Sequence, residues 1–413
     1  MRLIRDPQSD GHQFALTGDD AMTLTDSQIA RLRADTPSCA ERIHFNNAGA
    51  SPMPAPVYEA VAGHLALECE VGGYEAEARA RPALERMYTA LAELLRVAPH
   101  EIAYVENATR AWDMAFYSLP LREGDRIVTH ASEYASNYLA FLQTAKRRGV
   151  AIDVAPSDAS GQVDVDAMAR LVGPRTRLVA VTHVPTQGGL VNPAAEIGRV
   201  AREHGLIYLL DACQSAGQID LDVGAIGCHI LSGTGRKFLR GPRGTGFLYV
   251  SDEIVERLEP PFVDLHAATW TGDDRYELAP GARRFENWES FVAGRVGLAA
   301  AVDYALALGL PAIEARIAGL AQDLRDRLAG IAGVTVHDQG VRRCGIVTFT
   351  RDGEPPEQLA RRMAGHDVSI SVSSAPYARL DLGARGLPSL ARASLHCFNT
   401  LAEIERFCEL VAG

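Results

Sequence analysis

The 413-residue sequence lacks paired cysteines, an excess of positive charge and metal-binding histidine clusters. Its seven cysteines form no C-x-x-C pair, so neither a disulfide framework nor a structural zinc site is indicated. Lysine and arginine number 41 against 52 aspartates and glutamates, and the net charge of −11 would repel nucleic acid. The histidines form no spaced cluster with carboxylates, so no metal site is predicted.

The sequence also lacks a secretory leader and a long apolar run. Its first residues lead into polar sequence rather than into the apolar core of a signal peptide. The most apolar later stretch, residues 296–310, contains Asp303 and is shorter than the roughly 20 residues that span a bilayer. Together with the unpaired cysteines, these features predict a cytoplasmic protein without a membrane partner.

Apolar residues, by contrast, make up 47% of the chain, which is enough for a large core. Short apolar runs alternate with amphipathic helical stretches, and this order predicts an α/β fold with a mostly parallel sheet. The alternation fades near residue 290. We therefore predict an N-terminal arm over residues 1–40, a large domain over 41–290 and a smaller α+β domain over 291–413. The small domain is expected to begin with a long linking helix.

The most unusual segment, residues 232–249, is dense in glycine and positive charge and contains Lys237. Its glycines would let the backbone approach a ligand closely, but its spacing matches neither the P-loop nor G-x-G-x-x-G. Upstream, Asp211 follows the apolar run 206–210 and is therefore expected at the carboxyl end of a buried strand, where open α/β sheets bind ligands. Because a buried carboxylate is costly unless paired, a cation such as a protonated pyridine ring is a reasonable partner.

This pair of segments resembles the class V aminotransferase family of fold-type I pyridoxal 5'-phosphate (PLP) enzymes, which includes cysteine desulfurases, isopenicillin N epimerase and kynureninase. The resemblance covers nearly the whole chain. It implies PLP as the cofactor, a large cofactor domain and an α-amino acid as the substrate. The matching motifs are Asp211–Gln214, Ser232–Lys237, His44–Ser51, Asn107–Arg110, Glu133–Asn137, Thr182–Gly189 and Arg392–Thr400.

By this resemblance, Lys237 and Asp211 are the catalytic residues. Lys237 would link covalently to PLP and move the proton at the substrate Cα, and Asp211 would keep the pyridine nitrogen protonated. Gln214 would hydrogen-bond the phenolic oxygen of the ring, and Tyr134 would stack on the ring where desulfurases carry a histidine. The other residues predicted to bind the cofactor are Asn107, Ala108, Thr109, Thr186, Thr234, Arg236 and Thr271.

The same resemblance assigns the substrate and a second subunit. Arg392 matches the family arginine that binds the substrate α-carboxylate through two parallel N–H donors. Asn46 and Asn47 are expected to support that carboxylate. Thr271 stands where relatives lend a hydroxyl to the phosphate site of the other subunit, which implies a homodimer with composite active sites.

Labilising the Cα–H bond of an amino acid leads to several reactions. Transamination is expected first, with C–S β-elimination and epimerisation as alternatives. A non-catalytic protein of the same fold is disfavoured, because a scaffold has no need for Lys237, Asp211 and Arg392 together. Desulfurases carry a mobile nucleophilic cysteine on the loop before Arg392, and residues 371–383 contain none. The sequence therefore predicts that the chain is not a classical persulfide-forming cysteine desulfurase.

Overall fold

The computed structural model describes residues 23–413, so residues 1–22 of the predicted arm lie outside the described residues. The α-helices of the described part are α1 (Asp26–Ala34), α2 (Ala55–Val71), α3 (Gly73–Leu95), α4 (Ala108–Ser118), α5 (Ala135–Arg148), α6 (Val165–Leu171), α7 (Ala194–Glu203), α8 (Val223–Ile226), α9 (Val292–Leu308), α10 (Leu310–Ala329), α11 (Pro356–Ala364) and α12 (Leu401–Ala412). Its strands are β1 (Ile43–His44), β2 (Ile102–Val105), β3 (Arg126–His130), β4 (Ala151–Ala155), β5 (Thr176–Thr182), β6 (Ile207–Asp211), β7 (Ile230–Thr234), β8 (Gly246–Val250), β9 (Ala268–Gly272), β10 (Arg275–Leu278), β11 (Val334–Val336), β12 (Ile346–Arg351), β13 (Val368–Ser369), β14 (Ser371–Ser374) and β15 (Ser389–Ser394).

A seven-stranded sheet in the order β2-β8-β7-β6-β5-β3-β4 forms the centre of the larger part. Neighbouring strands from β7 to β4 are parallel, whereas β8 is antiparallel to both β7 and β2. Alternate residues of β5 enter two separate apolar clusters, Val179 and Val181 on one face and Leu178 and Ala180 on the other. Both faces are therefore covered, as is usual for parallel sheets. The predicted α/β fold with a mostly parallel sheet is confirmed.

The C-terminal part contains a second, antiparallel sheet in the order β11-β12-β15-β14. Its core cluster includes residues of β12, β15, α10, α11 and α12. Phe45, from the beginning of the described chain, belongs to the same cluster and lies 5.3 Å from Phe407 between ring centroids. The adjoining strand β1 pairs with β13. Residues 43–45 thus contact the C-terminal part, and the domain boundaries at residues 40 and 290 stay predictions.

Gly309 separates the long helix α9 from α10. Its φ of 83° lies in the left-handed region that glycine adopts without strain, so the chain turns there and the long helix ends at Leu308. α9 packs against α2 and α3. Within residues 23–413, no single helix is long and apolar enough to cross a membrane; α9 and α10 reach that length and composition only as a pair bent by 79°.

Candidate active site

A cavity of about 330 Å³ lies at the carboxyl ends of the central strands. Thr182, Asp211 and Thr234 are the last residues of β5, β6 and β7, and they meet at one edge because these strands are parallel. Every predicted cofactor residue except Thr271 lines this cavity. Sequence reasoning did not assign the remaining lining residues, which are Glu106, Asn137, Thr182, Val184, Cys213, Arg243, Gly244 and Thr245.

Lys237 lies in the tight turn that follows β7 and is only 9% exposed. The turn closes tightly at Gly235, where an added Cβ would lie 2.2 Å from Oγ1 of Thr245. Burial lowers the pKa of the Lys237 amine; the neighbouring Cys213 opposes this shift and Arg236 adds to it. A lowered pKa favours the neutral amine, which can act as a nucleophile and accept a proton.

The Asp211 carboxylate is buried at the end of β6 and uses both oxygens. Oδ1 accepts a hydrogen bond of 2.8 Å from the backbone N–H of Cys213, and Oδ2 accepts one of 2.9 Å from Nδ2 of Asn137. Burial raises the pKa of Asp211, and these two hydrogen bonds counteract part of the shift. A protonated ring nitrogen in the cavity would supply the counter-charge that a buried carboxylate needs.

The opposite end of the cavity suits a phosphate. Asn107 caps the eleven-residue helix α4 by accepting a 2.9 Å hydrogen bond from the N–H of Arg110. The N–H groups of Ala108 and Thr109 lie at the helix start, where N–H groups have no intrahelical acceptor and the helix dipole favours an anion. Arg236 donates to the hydroxyl of Thr234 at 3.2 Å and adds a positive charge.

Thr186 connects this cavity with Arg392. Its hydroxyl accepts hydrogen bonds from Nε2 of Gln214 at 2.9 Å and from Nη1 of Arg392 at 2.8 Å. Oε1 of Gln214 and Nε of Arg392 are buried and have no hydrogen-bond partner within residues 23–413. Burial lowers the pKa of Arg392 to about 10. A buried guanidinium with unused donors is a suitable site for a carboxylate.

Besides Arg392, three predicted residues lie outside the cavity lining. Thr271 is exposed on the β9–β10 hairpin. Asn46 forms a bridge to Ser394 on the strand of Arg392, and its Oδ1 is buried without a partner in the described part of the chain. Asn47 donates to the carbonyl of Ser394 at 2.8 Å and accepts from the Ser51 hydroxyl at 2.9 Å. Their roles in binding substrate or cofactor stay predictions.

Two cavity residues that the sequence analysis did not name, Asn137 and Cys213, belong to motifs that it did name. Asn137 ends the Glu133–Asn137 motif, and its distance of four residues from Glu133 places both on one side of a helix turn. Cys213 lies between Asp211 and Gln214, so a thiol in this cavity is a direct consequence of the motif. The position of each residue within its motif was therefore enough to predict that it lies at the site.

The cavity therefore offers a helix start for a phosphate, a carboxylate for a ring nitrogen and a buried amine for a carbonyl, and these groups fit PLP. A family model described as aminotransferase class-V matches residues 43–407. The chain belongs to the class V aminotransferase family. Its fold is that of the fold-type I PLP enzymes, and its cofactor is PLP.

Curated relatives and solved structures of the family resemble the chain along most of its length. A probable cysteine desulfurase of Methanothermobacter thermautotrophicus is 30% identical, covering 91% of this chain and 95% of the relative. One of Xylella fastidiosa is 33% identical, covering 91% and 93%. The cysteine desulfurase structure from Thermococcus onnurineus has a TM-score of 0.86 at 26% identity, covering 93% and 97%. A cystine C–S lyase in complex with its reaction product, cysteine persulfide, has a TM-score of 0.82 at 25% identity, covering 91% and 99%.

These similarities correct one prediction. The prediction that the chain is not a classical persulfide-forming cysteine desulfurase is wrong, because the relatives that match it along 91% of its length are named cysteine desulfurases. That prediction rested only on the absence of a cysteine from one loop, residues 371–383. In the cystine C–S lyase the persulfide is carried by the product cysteine. A missing protein thiol at one position therefore does not exclude persulfide chemistry in this fold.

Proposed function

We propose that this enzyme cleaves the C–S bond of cysteine or of a cysteine derivative. The observation that carries the proposal is that Lys237 and Asp211 line one cavity with Thr186, whose hydroxyl accepts a 2.8 Å hydrogen bond from Nη1 of Arg392. That arrangement supports removal of the Cα proton from an α-amino acid. The names of the relatives favour a substrate with sulfur on Cβ over transamination or epimerisation.

PLP, when bound, withdraws electrons from the substrate Cα. The side chains of the chain supply the rest of the chemistry. Arg392 would bind the α-carboxylate through two N–H donors and so fix the direction of the Cα–H bond. The neutral Lys237 amine would accept the Cα proton, and Asp211 would hold a proton on the ring nitrogen. In elimination, a cysteine derivative and water give a thiol or persulfide, pyruvate and ammonium. In desulfuration, cysteine and an acceptor thiol give alanine and a persulfide.

A product analysis of the holoenzyme tests this proposal. L-cysteine, L-cystine and an S-alkylcysteine are the substrates, and L-alanine, which lacks sulfur, is the matched control. We expect release of sulfide, thiol or persulfide together with pyruvate or alanine, and no reaction product from the control. Keto acid formed only with an added amino acceptor, or a D-amino acid formed without sulfur release, would contradict C–S cleavage and favour the alternatives.

Cys213 is the one cysteine that lines the described cavity, so its thiol needs a direct test. Burial and the neighbouring Asp211 raise the pKa of this thiol well above its ordinary value, and a protonated thiol is a poor nucleophile. We expect Cys213→Ala to keep kcat/KM within roughly tenfold, or ~1.4 kcal/mol. Cys228→Ala, at a buried site in the apolar core, is the control. A hundredfold loss in Cys213→Ala alone, with PLP still bound, would show that the thiol takes part.

We further propose that the enzyme is a homodimer with composite sites. Thr271 does not line the cavity of its own chain, and Trp270 and Trp288 are 72% and 59% exposed. Large exposed apolar side chains in one region commonly mark a protein interface. We expect light scattering of the holoenzyme to give twice the 44.5 kDa chain mass, and Trp270→Glu to reduce it. A wild-type mass of one chain at micromolar concentration would rule the dimer out.

A further inference from the structure

A second buried carboxylate, Glu133, lies behind Asp211. Glu133 is 4% exposed and does not line the cavity. One of its oxygens accepts a 2.8 Å hydrogen bond from the backbone N–H of Tyr134 and another from the hydroxyl of Thr182. The other oxygen accepts from the backbone N–H of Thr182 at 3.1 Å and lies 3.4 Å from Nε2 of His130. Its position is therefore held by the residue before α5, by the end of β5 and by the end of β3.

Asn137 joins the two carboxylates. Its Nδ2 donates to Oε1 of Glu133 and to Oδ2 of Asp211, both at 2.9 Å. A side-chain amide nitrogen carries two hydrogen atoms, so both donors are in use. Because Glu133 is fixed by several donors, it also fixes the orientation of the Asn137 amide. That amide in turn restricts where the Asp211 carboxylate can lie.

We propose that Asn137, held in place by Glu133, is a positioning residue that aligns Asp211 with the ring nitrogen of PLP and keeps that nitrogen protonated. The proposal rests on the role proposed for Asp211. It extends that role to a side chain of the cavity, Asn137, and to one outside it, Glu133. Neither acts on the substrate directly.

The charges around Asp211 agree with this role. Burial acts to raise the pKa of Glu133, but hydrogen bonds from His130, Thr182 and Asn137 hold it below its ordinary value. The donors around both of its oxygens favour the anionic form of Glu133, which lies behind Asp211. The groups that act on Asp211 are the N–H of Cys213, the amide of Asn137, the Glu133 carboxylate and the Lys237 amine. Two anions on one side favour a cation on the other, which is the protonated ring nitrogen.

The test is the visible absorption of holoenzyme Asn137→Ala, measured against pH without substrate. Without the amide, the Asp211 carboxylate is no longer held in line with the ring nitrogen, and the misaligned ion pair holds the nitrogen proton less firmly. The ring then withdraws electrons less strongly, and the pKa of the nitrogen that links Lys237 to PLP rises. We expect the spectral midpoint to rise by about one pH unit and the Kd for PLP to rise about tenfold, or ~1.4 kcal/mol.

Asn192→Ala is the matched control. Asn192 is also a buried amide; it donates to the carbonyl of Thr182 at 2.8 Å and accepts from the N–H of Val163 at 3.2 Å. It makes no hydrogen bond to Asp211 or Glu133 in the described chain. We expect its midpoint to match wild type even if its melting temperature falls.

An unchanged midpoint in Asn137→Ala, or equal shifts in both variants, would overturn the proposal. If Asn137→Ala does not fold, Asn137→Ser carries the same expectation, because its short hydroxyl cannot reach both carboxylates. The readout needs no substrate. Failure of C–S cleavage would therefore leave the spectral result intact, and failure of the spectral result would leave C–S cleavage open.

Discussion

Lys237→Ala is expected to lower kcat by at least about 10³-fold and to remove the absorption band of lysine-bound PLP, while the fold stays intact. The buried Lys237 amine is assigned both the covalent link and the transfer of the Cα proton, so one substitution removes two functions. The turn that carries it depends on Gly235 rather than on the lysine side chain. The measurements are single-turnover kinetics, the visible spectrum and thermal unfolding.

The low lysine content of the chain provides a complete control for this experiment. Lys146 and Lys237 are its only lysines, so Lys146→Ala is a complete control for loss of a lysine. Lys146 lies in the last turn of α5 and does not line the cavity. Reduction of the wild-type holoenzyme with borohydride should label the peptide that contains Lys237. A label on the Lys146 peptide, or undiminished turnover by Lys237→Ala, would refute the assignment.

The central sheet could be predicted because its strands are buried on both faces. Such strands appear in the sequence as continuous apolar runs, and the run at residues 206–210 is observed as β6, shifted by one residue. β1 and β13 could not be predicted in this way. Each has two residues, and they pair across more than 300 positions of sequence. Their conformation depends on the tertiary fold rather than on local preference.

In the site, too, some contacts follow from the local sequence and others depend on the tertiary fold. Asp211 and Lys237 follow strands of one parallel sheet, so their placement at one edge could be inferred from the order of strands alone. The contact between Arg392 and Thr186 joins β15 to the loop after β5, and no local pattern encodes it. The Thr186 hydroxyl oxygen accepts from both Gln214 and Arg392 and so joins the two parts of the site.

The error about desulfurases has a physical cause as well. Loop residues 371–383 were treated as if the reaction class depended on one nucleophile. The cavity lies at the ends of β5, β6 and β7, and Arg392 on β15 contacts it through Thr186. None of these residues belongs to the loop, so the loop sequence alone does not define the site.

Arg392→Lys is expected to raise KM for the α-amino acid by about ten- to a hundredfold and to leave PLP loading unchanged. The reason is geometric: an ammonium is a point charge and cannot reproduce two parallel N–H donors to a carboxylate. Loss of a charge-assisted, partly desolvated pair costs ~1.5–3 kcal/mol, which matches that range. Arg379→Lys, at an exposed position on the loop before β15, is the matched control and should behave as wild type.

The decisive comparison pairs each enzyme with the amino acid and its carboxamide. Nε of Arg392 is buried without a partner in the part of the chain that the structure describes, so wild type should strongly prefer the charged carboxylate that satisfies it. The lysine variant should discriminate weakly between the two compounds. If wild type handled acid and amide equally well, Arg392 would have no carboxylate to bind. The substrate would then be an amine without an α-carboxylate, and C–S cleavage of cysteine derivatives would have to be abandoned.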